Sequence, residues 1–475
     1  MTPEADDDSP AQPSSLRQQA VSGVVWTTLE KWSVRLSTLV GFIILGNLLT
    51  PLQFGVVALA TTFISFLTTV ADGGFASYLL QKQRLTPAVT NTAFYLTSAL
   101  ALMLALVVAA LAGPASGWLD TPQLREVLPA LAVALLIAGV STVPAVLLAR
   151  DLRFKELALR QILAALLSVA AAIGLALAGA GVWALVGQTL VRGVVSFAAL
   201  WWASDFRPRL TFDRSEIRPM VAYGSKSLLV LLAPQARTQG EVFIIGALVN
   251  AVAVGYWTVA GRLVNVVVDV ISSVVGSVAH PVFARLQEAP ERLGRALATA
   301  RALSALVLVP SLVALALVSE DVVPAVFGDQ WAPTTTVASV LALSALLQAV
   351  TDFDRSVLLA TGHPGAELKV VLIFVVVHLG VVFVFHSDLE VLAAAIGATV
   401  ALSVPVRMLV VRHLLGVPSA QPLGRPACSS PAVWPPEPSS APRRCSSSTA
   451  WRTSHSRSGS VVSSTRSRPW SWHAP

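Results

Sequence analysis

Long apolar runs separated by short polar breaks constrain this chain more than any other feature. From Val21 onward the runs are long enough to cross a bilayer as helices, which takes about 20 residues each. They are rich in alanine and leucine and lack the period-two alternation of a transmembrane strand. The sequence predicts an all-α integral membrane protein. About twelve transmembrane helices are expected, near residues 22–48, 53–80, 90–113, 127–149, 160–179, 182–203, 219–248, 251–280, 300–319, 334–360, 369–386 and 390–414.

The composition supports this prediction and removes one alternative. Hydrophobic residues make up 55% of the chain and charged residues 12%, whereas a soluble domain carries about 25% charged residues. Most of the net charge of +7 lies beyond residue 420, where seven arginines accompany one acid, Glu437. The basic balance is therefore no argument for nucleic-acid binding. Both cysteines, Cys428 and Cys445, also lie there, so the membrane part has no cysteine for a disulfide or a metal site.

The charges of the loops predict the orientation of the helices. If the N-terminus is cytoplasmic, the cytoplasmic loops are strongly basic and the outer loops mainly acidic, as the positive-inside rule requires. The inner set is Lys82, Arg84, Arg150, Arg153, Lys155, Arg160, Arg207, Arg209, Arg214, Arg218, Arg285, Arg292 and Arg295, and the outer set is Asp120, Arg125, Glu126, Glu320, Asp321, Asp329, Asp388 and Glu390. We expect a multi-pass protein of the cell membrane (plasma or inner membrane).

The longest inner loop divides the helices six and six. The expected parts are a disordered cytoplasmic N-terminus (1–20), an N-terminal six-helix lobe (21–204), a cytoplasmic loop (205–218), a C-terminal six-helix lobe (219–416) and a tail (417–475). The tail is rich in serine, proline and arginine, yet it contains tryptophans, which disordered segments normally lack. It is either an out-of-frame gene end or a basic segment that touches anionic lipid.

A short repeat links the first helix pair of each half. Residues 46–60 read GNLLTPLQFGVVALA and residues 246–260 read GALVNAVAVGYWTVA. Without a gap, Gly46 aligns with Gly246 and Gly55 aligns with Gly255. The equivalent place of both copies predicts two related bundles about a pseudo-two-fold axis, with a central cavity between them. Chance similarity between apolar segments is the alternative.

Cationic side chains inside the predicted helices are the candidates for substrate binding, because a charge in a membrane is costly unless it faces a partner or a water-filled cavity. The predicted set is Lys31, Arg35, Arg237, Arg262, Asn265 and Arg355. One guanidinium group can bind two phosphate oxygens at once. The set therefore predicts a water-filled, cationic cleft for an anionic head group such as a diphosphate. The alternatives are snorkelling of Lys31 and Arg35 to the surface, and a structural pair of Arg237 with Glu241 one turn later.

Carboxylates in the same helices are the candidates for ion coupling. Asp72, Glu241 and Asp269 are the predicted proton or cation carriers. Asp72 and Asp269 each belong to a polar stripe, which in other membrane helices often serves only to hold helices together. Pro234, in the seventh helix, predicts a kink or a break there. The sequence has no nucleotide loop, nucleophile motif or metal-ligand spacing, so we predict no catalytic residue, metal or cofactor.

Several motifs resemble one known family. LLTPLQFGVVALA with the following ADGGF, VGYWTVAGRL, SSVVGSVAHPVFARLQ and FGDQWAP are similar to the polysaccharide exporters of the multidrug/oligosaccharidyl-lipid/polysaccharide flippase superfamily, in particular the Wzx-like branch for lipopolysaccharide and teichuronic-acid export. The resemblance runs from about residue 21 to 415. It implies two six-helix lobes that move a polyprenyl-diphosphate-linked oligosaccharide from the inner to the outer leaflet by alternating access. Implied partners are membrane lipids, a polysaccharide polymerase and glycosyltransferases, and no nucleic acid.

Three other functions remain open at the level of the sequence. A multidrug or cation antiporter of the same superfamily would prefer an acidic cavity, which the arginines oppose. A membrane-embedded glycan polymerase would need a large outer loop with catalytic residues, and every predicted outer loop is short. An inactive, truncated paralogue is the third, because many relatives have fourteen helices and the last two would fall where the tail stands.

Overall fold

The computed structural model describes residues 13–286 and 289–415, and within these ranges the chain is helical. The twelve long helices are α1 (Pro13–Leu48), α2 (Pro51–Asp72), α4 (Pro87–Trp118), α5 (Leu124–Arg150), α6 (Phe154–Leu177), α7 (Val182–Ala203), α8 (Arg214–Leu248), α9 (Ala251–Arg285), α10 (Pro290–Phe327), α11 (Pro333–Ala360), α12 (Pro364–Val384) and α13 (Leu389–Leu415). Two short elements complete the fold, the helix α3 (Phe75–Gln81) and a 3-10 turn at Asp329–Trp331. The all-α membrane fold is confirmed, whereas the predicted tail lies outside the described residues.

The second predicted helix is not continuous. Gly73 and Gly74 adopt left-handed backbone angles, with φ of 56° and 71°, between α2 and α3. Such angles suit glycine because it has no Cβ, so two successive glycines end one helix and redirect the next. The prediction of one helix over 53–80 was therefore wrong at this point. In contrast, α8 stays helical through Pro234, so the alternative of a break there was wrong.

Ten segments of the described chain are long and apolar enough to cross a membrane. Helices α1 and α8 are missing from this set although both are long, because Lys31 and Arg35 in α1 and Arg237 and Glu241 in α8 lower their apolar character. These two helices are the first of each predicted half. The chain thus places its most polar long helices at equivalent positions of the two halves.

The helices pack into two groups with matching internal contacts. In the N-terminal bundle (α1–α7), α4 packs on α5, α5 on α7, α6 on α7 and α1 on α6. In the C-terminal bundle (α8–α13), α10 packs on α11, α11 on α13, α12 on α13 and α8 on α12. Each pair in the first group corresponds to a pair in the second. The repeat in the sequence therefore extends to the packing of both bundles.

The repeated glycines lie where the two bundles meet, at the crossing of α2 and α9. A Cβ added to Gly55 would come 1.6 Å from the carbonyl oxygen of Ala251, and one added to Gly255 would come 2.0 Å from that of Pro51. The contact is reciprocal, since each glycine faces the first residue of the other helix. Only a residue without a side chain permits this approach, which explains why both copies keep glycine here.

Aromatic side chains surround the same region on the side of α1 and α10. The indole nitrogen of Trp331 donates to the carbonyl oxygen of Gly46 at 2.8 Å, and the Trp331 side chain is buried. Its ring packs edge-on against Phe54 at 5.3 Å, and the ring of Phe42 lies 5.1 Å from that of Phe327. At this end, opposite the basic loops, apolar side chains hold the two bundles together.

At the other end, here called the basic end, lie the loops that precede α4, α6, α8 and α12. The guanidinium of Arg150 donates to the carbonyl oxygen of Leu79 at 2.9 Å. The bundles touch here as well: Tyr78 donates to the Glu216 carboxylate at 2.8 Å, and Lys82 forms an ion pair with the same carboxylate. Gly74 approaches the backbone of Gly224 just beside this contact.

Candidate functional site

Three predicted site residues share one exposed face of α9. Arg262, Asn265 and Asp269 follow the spacing i, i+3 and i+7, and all three side chains are exposed. The Arg262 guanidinium lies 5.0 Å from the centre of the Phe42 ring on α1. That distance is typical of a cation–π contact. Arg262 of the C-terminal bundle thereby contacts Phe42 of the N-terminal bundle.

Two arginines of the N-terminal bundle complete a positive cluster around Arg262. Arg192 on α7 is close enough to Arg262 for Coulomb repulsion, and Arg160 on α6 interacts in the same way with Arg192. Glu30 on α1 is the acidic group near Arg160. Among the described residues, none of these three arginines forms an ion pair with a carboxylate, and the Nε of Arg160 is buried without a hydrogen-bond acceptor. We call Arg160, Arg192 and Arg262 the arginine cluster.

From the sequence, Arg160 was expected in a cytoplasmic loop and not in this cluster. The structure begins α6 at Phe154, so Arg160 lies in the second turn of the helix rather than before it. The apolar residues Phe154, Leu157 and Leu159 lie upstream of the predicted start at residue 160, and this pattern was the available signal for an earlier helix. Arg192 was already visible as a single charge inside an apolar helix.

The two cationic residues of α1 lie on the face that carries Phe42. Lys31 and Arg35 are one turn apart, and Arg35 and Phe42 are two turns apart, so the three share one side of the helix. Lys31 is exposed and Arg35 is half-buried. Their position makes α1 the wall of the arginine cluster in the N-terminal bundle.

Arg237 does not join this cluster. It lines a separate pocket of about 100 Å³ inside the C-terminal bundle, together with His378 and Arg407. The predicted alternative, a pair between Arg237 and Glu241, is also absent from the described ion pairs. The reason is that both carboxylate oxygens of Glu241 are engaged elsewhere: His378 Nε2 lies 2.7 Å from one, and the indole nitrogen of Trp257 donates to the other.

Arg355 is likewise separate from the arginine cluster and is exposed on α11. Its neighbour Asp354 is fully buried and pairs with Arg301 of α10. The side chain of Asp352 lies outside the described residues. Of these neighbouring ionisable residues on α11, Asp354 therefore belongs to a buried ion pair and Arg355 is exposed.

Asp72, the remaining candidate, is the last residue of α2. Its carboxylate lies near the backbone N–H groups of Ala76 and Gly74, where the chain turns into α3. A carboxylate in this place stabilises the start of the following helix. In the part of the chain that the structure describes, no group of three or more histidine, cysteine, aspartate or glutamate residues is arranged for a metal ion.

Comparison with known proteins points to one family. A family described as "Polysaccharide biosynthesis protein" matches residues 44–336. The chain is 27% identical to the succinoglycan biosynthesis transport protein ExoT of Rhizobium meliloti (strain 1021) over 68% of its length and 65% of that protein. It is 27% identical to the teichuronic acid biosynthesis protein TuaB of Bacillus subtilis (strain 168) over 74% of its length and 73% of that protein.

A third relative and two solved structures extend the comparison. The lipopolysaccharide biosynthesis protein WzxC of Escherichia coli (strain K12) is 21% identical over 75% of this chain and 73% of that protein. The lipid II flippase MurJ, in an inward closed conformation, superposes with a TM-score of 0.68 at 10% identity, over 82% of this chain and 87% of that one. An inward-facing multidrug resistance MATE family transporter superposes with a TM-score of 0.64 at 17% identity, over 81% of this chain and 94% of that one. At such identities the structural likeness concerns the fold.

Proposed function

The chain belongs to the family of polysaccharide biosynthesis proteins, and on that premise we propose that it moves a polyprenyl-diphosphate-linked oligosaccharide from the inner to the outer leaflet of the cell membrane. The relatives whose names describe transport or biosynthesis of surface polysaccharides support this proposal, as does the fold shared with a lipid II flippase. The chain spans 65% of the succinoglycan protein, so the activity of the whole relative is carried over here only as a proposal.

The arginine cluster is the observation that carries the proposal. Within the described residues, Glu30 is the carboxylate that acts on this cluster, beside Arg160, so the three arginines carry an excess of positive charge. A diphosphate diester is ionised on each phosphate group, and guanidinium groups suit its oxygens. Lys31, Arg35 and Asn265 supply further donors on the adjoining faces of α1 and α9. Arg237 and Arg355 lie elsewhere and have no part in this site.

The position of the cluster provides a mechanism for release. Arg160 and Arg192 belong to the N-terminal bundle and Arg262 to the C-terminal bundle, so the site is complete only while the bundles are close. Separation of α9 from α1 would remove Arg262 from the site and weaken diphosphate binding. A ligand with different affinities for two arrangements shifts the balance between them, which is what alternating access requires. The polyprenyl chain stays in lipid throughout.

The charged residues also support an orientation in the membrane and a site of proton coupling. The basic end faces the cytoplasm, in agreement with the positive-inside rule. Glu241, one of the three predicted carriers, pairs with the buried and titratable side chain of His378, and we assign proton coupling to this pair. Asp269 and Asp72 stay secondary candidates. Transport by a Glu241→Gln variant that still follows an imposed pH gradient would contradict the assignment.

The test uses the full-length protein in liposomes with a fluorescent polyprenyl-diphosphate oligosaccharide. Reversing Arg192 and Arg262 together to glutamate is expected to lower transport and lipid binding at least tenfold, since about 1.4 kcal/mol corresponds to a factor of ten. Arg125→Glu, at an exposed site opposite the basic end, is the matched control and is expected to behave as wild type. Undiminished transport by the double variant would contradict the proposed site. Failure of the wild-type protein to bind the diphosphate lipid would contradict the proposed function.

The enzymes that build the lipid-linked unit and polymerise it are the expected functional partners. Glycosyltransferases would act on the cytoplasmic side, before transport, and a polymerase on the outer side, after it. This order follows from the direction of the proposed movement.

A further inference from the structure

The loop between the two bundles carries apolar side chains that the protein leaves uncovered. This loop joins α7 to α8 over residues 204–213 and is here called the inter-bundle loop. The side chain of Leu210 is 94% exposed and that of Phe212 is 47% exposed. Exposed apolar side chains grouped in one short segment mark a contact with lipid or with another protein.

Hydrogen bonds to the start of α4 fix this exposure. The backbone N–H of Arg209 donates to the side-chain oxygen of Asn91 at 3.2 Å, and that of Asp213 donates to the Thr92 hydroxyl at 2.9 Å. Between them, the side-chain amide of Asn91 donates to the Thr211 hydroxyl at 2.6 Å. The side chains of Asn91 and Thr92 are buried. Every second residue of the segment 209–213 is therefore held against the bundle, and the leucine and the phenylalanine between them are left outside.

The same attachment sets the depth of the loop. Helix α4 has 32 residues and is about 48 Å long, so it extends beyond a hydrocarbon core of about 30 Å at both ends. Asn91 lies about 6 Å along the axis from Pro87, the first residue of α4. The loop thus lies at the level of the lipid head groups. Trp202, in the last turn of α7, is also exposed there, and tryptophan is enriched at membrane–water interfaces.

The charges near the loop complement a negative surface. Nine basic and five acidic side chains belong to the segments at this end of the N-terminal bundle, which are residues 82–84, 150–156 and 202–218. Glu216 already pairs with Lys82. Arg209, Arg214 and Arg218 are exposed, and in the part of the chain that the structure describes they form no ion pair with a carboxylate. An excess of positive charge therefore lies beside the exposed apolar side chains.

We propose that the inter-bundle loop docks on anionic phospholipid in the leaflet at the basic end. Leu210 and Phe212 enter the boundary of the acyl chains, and Arg209 and Arg214, which flank them, bind the head-group phosphates. Basic side chains close to a membrane surface attract anionic lipid, and apolar side chains beside them add burial in the acyl region. Because the loop connects the two bundles, the lipid anchors the chain at the point where one bundle passes into the other.

The test labels the loop of the full-length protein in nanodiscs of phosphatidylcholine and phosphatidylglycerol. Cys428 and Cys445 are replaced by serine, and Leu210→Cys carries an environment-sensitive fluorophore. A nitroxide on the acyl chain of one lipid or the other, at equal mole fraction, quenches the label according to how often that lipid is its neighbour. We expect quenching by labelled phosphatidylglycerol to be at least about twice that by labelled phosphatidylcholine, and the ratio to fall at high salt.

Two kinds of variant show which residues give this preference. Arg209→Gln together with Arg214→Gln is expected to bring the quenching ratio close to one, while Arg125→Gln, at the opposite end of the bundle, is expected to leave it unchanged. A label on Leu177→Cys is the matched control for position, because Leu177 is an exposed leucine at the far end of α6 and is expected to be quenched equally by both lipids. All these side chains are exposed, so the unfolding midpoints of the variants are expected to stay near that of the parent.

Two results would overturn the proposal. A label at position 210 that aqueous iodide reaches and that neither lipid quenches would show that the loop stays in water, as expected if it takes a soluble protein instead. Equal quenching by both lipids would show insertion without a preference for anionic lipid. The discs contain no oligosaccharide lipid, so the outcome is independent of the proposed transport function and each can fail without the other.

Discussion

The basic ends of the two bundles are built from different chemistry on the same helix packing. In the N-terminal bundle the rings of Phe94, Trp201 and Phe206 form an aromatic cluster, with centroids 5.6–6.4 Å apart. In the C-terminal bundle two ion pairs lie at this end instead: Arg301 with Asp354 joins α10 to α11, and Arg407 with Glu367 joins α13 to α12. Asp354 is also within electrostatic reach of Arg407 and Glu367, so the four charges form one network.

The comparison shows that the repeat in this protein is conserved in the backbone and not in the side chains. Helix pairs correspond across the bundles, and the glycines at the α2–α9 crossing occupy equivalent positions. An aromatic cluster tolerates small displacements because its attraction is non-directional and spread over many contacts. A buried ion pair is less tolerant, because loss of one partner leaves a charge without compensation. The two ends should therefore respond differently to substitution.

Breaking the ion network is expected to give the largest effect. Asp354→Ala leaves the Arg301 guanidinium, which is 12% exposed, without its partner and should destabilise the protein by about 3–5 kcal/mol. The double variant Arg301→Met with Asp354→Leu replaces both charges by apolar groups and should recover most of that loss. Thermal unfolding in detergent measures both. A double variant as unstable as the single one would show that packing volume, and not charge, distinguishes this end.

Substitution of the two glycines at the α2–α9 crossing, which the bundles share, is expected to give the second largest loss of stability. Gly55→Ala and Gly255→Ala each place a methyl group against backbone of the other helix and should each cost about 1–3 kcal/mol. Gly261→Ala is the control on α9, because nothing lies within 4 Å of an added Cβ there. Thermal unfolding of the three variants compares them directly. Unequal costs at Gly55 and Gly255 would mean that the contact is not the reciprocal one described.

The contact between the bundles at the basic end gives the smallest effect. Glu216→Gln should cost about 0.2–1 kcal/mol at neutral pH, because the side chains of Lys82 and Glu216 are 25% and 22% exposed and the pair is partly screened by solvent. Hydrogen bonds from Lys82 and Tyr78 lower the pKa of the Glu216 carboxyl. Its contribution is thus present at neutral pH and is lost as the pH falls through that lowered pKa.

The pH series supplies the measurement for this last prediction. The difference in unfolding midpoint between wild type and Glu216→Gln should shrink as the solution is acidified. Lys82→Met should show the same trend from the other side of the pair. A difference that grows on acidification would contradict the lowered pKa of Glu216.

Much of the fold follows from local sequence. Runs of apolar residues set the number and approximate place of the long helices, and the motifs shared with polysaccharide exporters indicated the family, which is now confirmed. The main errors were also local. The left-handed glycines divide the second predicted helix, and α10 extends well beyond 300–319 because helix-compatible polar turns continue it at both ends. Apolar content alone does not record either feature.

The candidate site was predictable only in part, because its members come from different helices. The sequence indicated Arg262, Asn265 and Asp269 as one stripe, and the helical period explains why that prediction holds as geometry. It gave no sign that Arg192 and Arg160 lie near Arg262 while Arg237 does not. Those relations depend on how each helix is rotated about its axis, which the packing of neighbouring helices decides.

The sequence by itself therefore determined the class of protein, the helices and the glycines at which two halves can approach, since each depends on residues close together in the chain. The tertiary structure alone decided the partners of the buried charges. His378 pairs with Glu241 across 137 positions, and Arg301 pairs with Asp354 across 53. A charge in a membrane takes whichever partner the packed helices bring within reach, and that distance is a property of the assembled bundle.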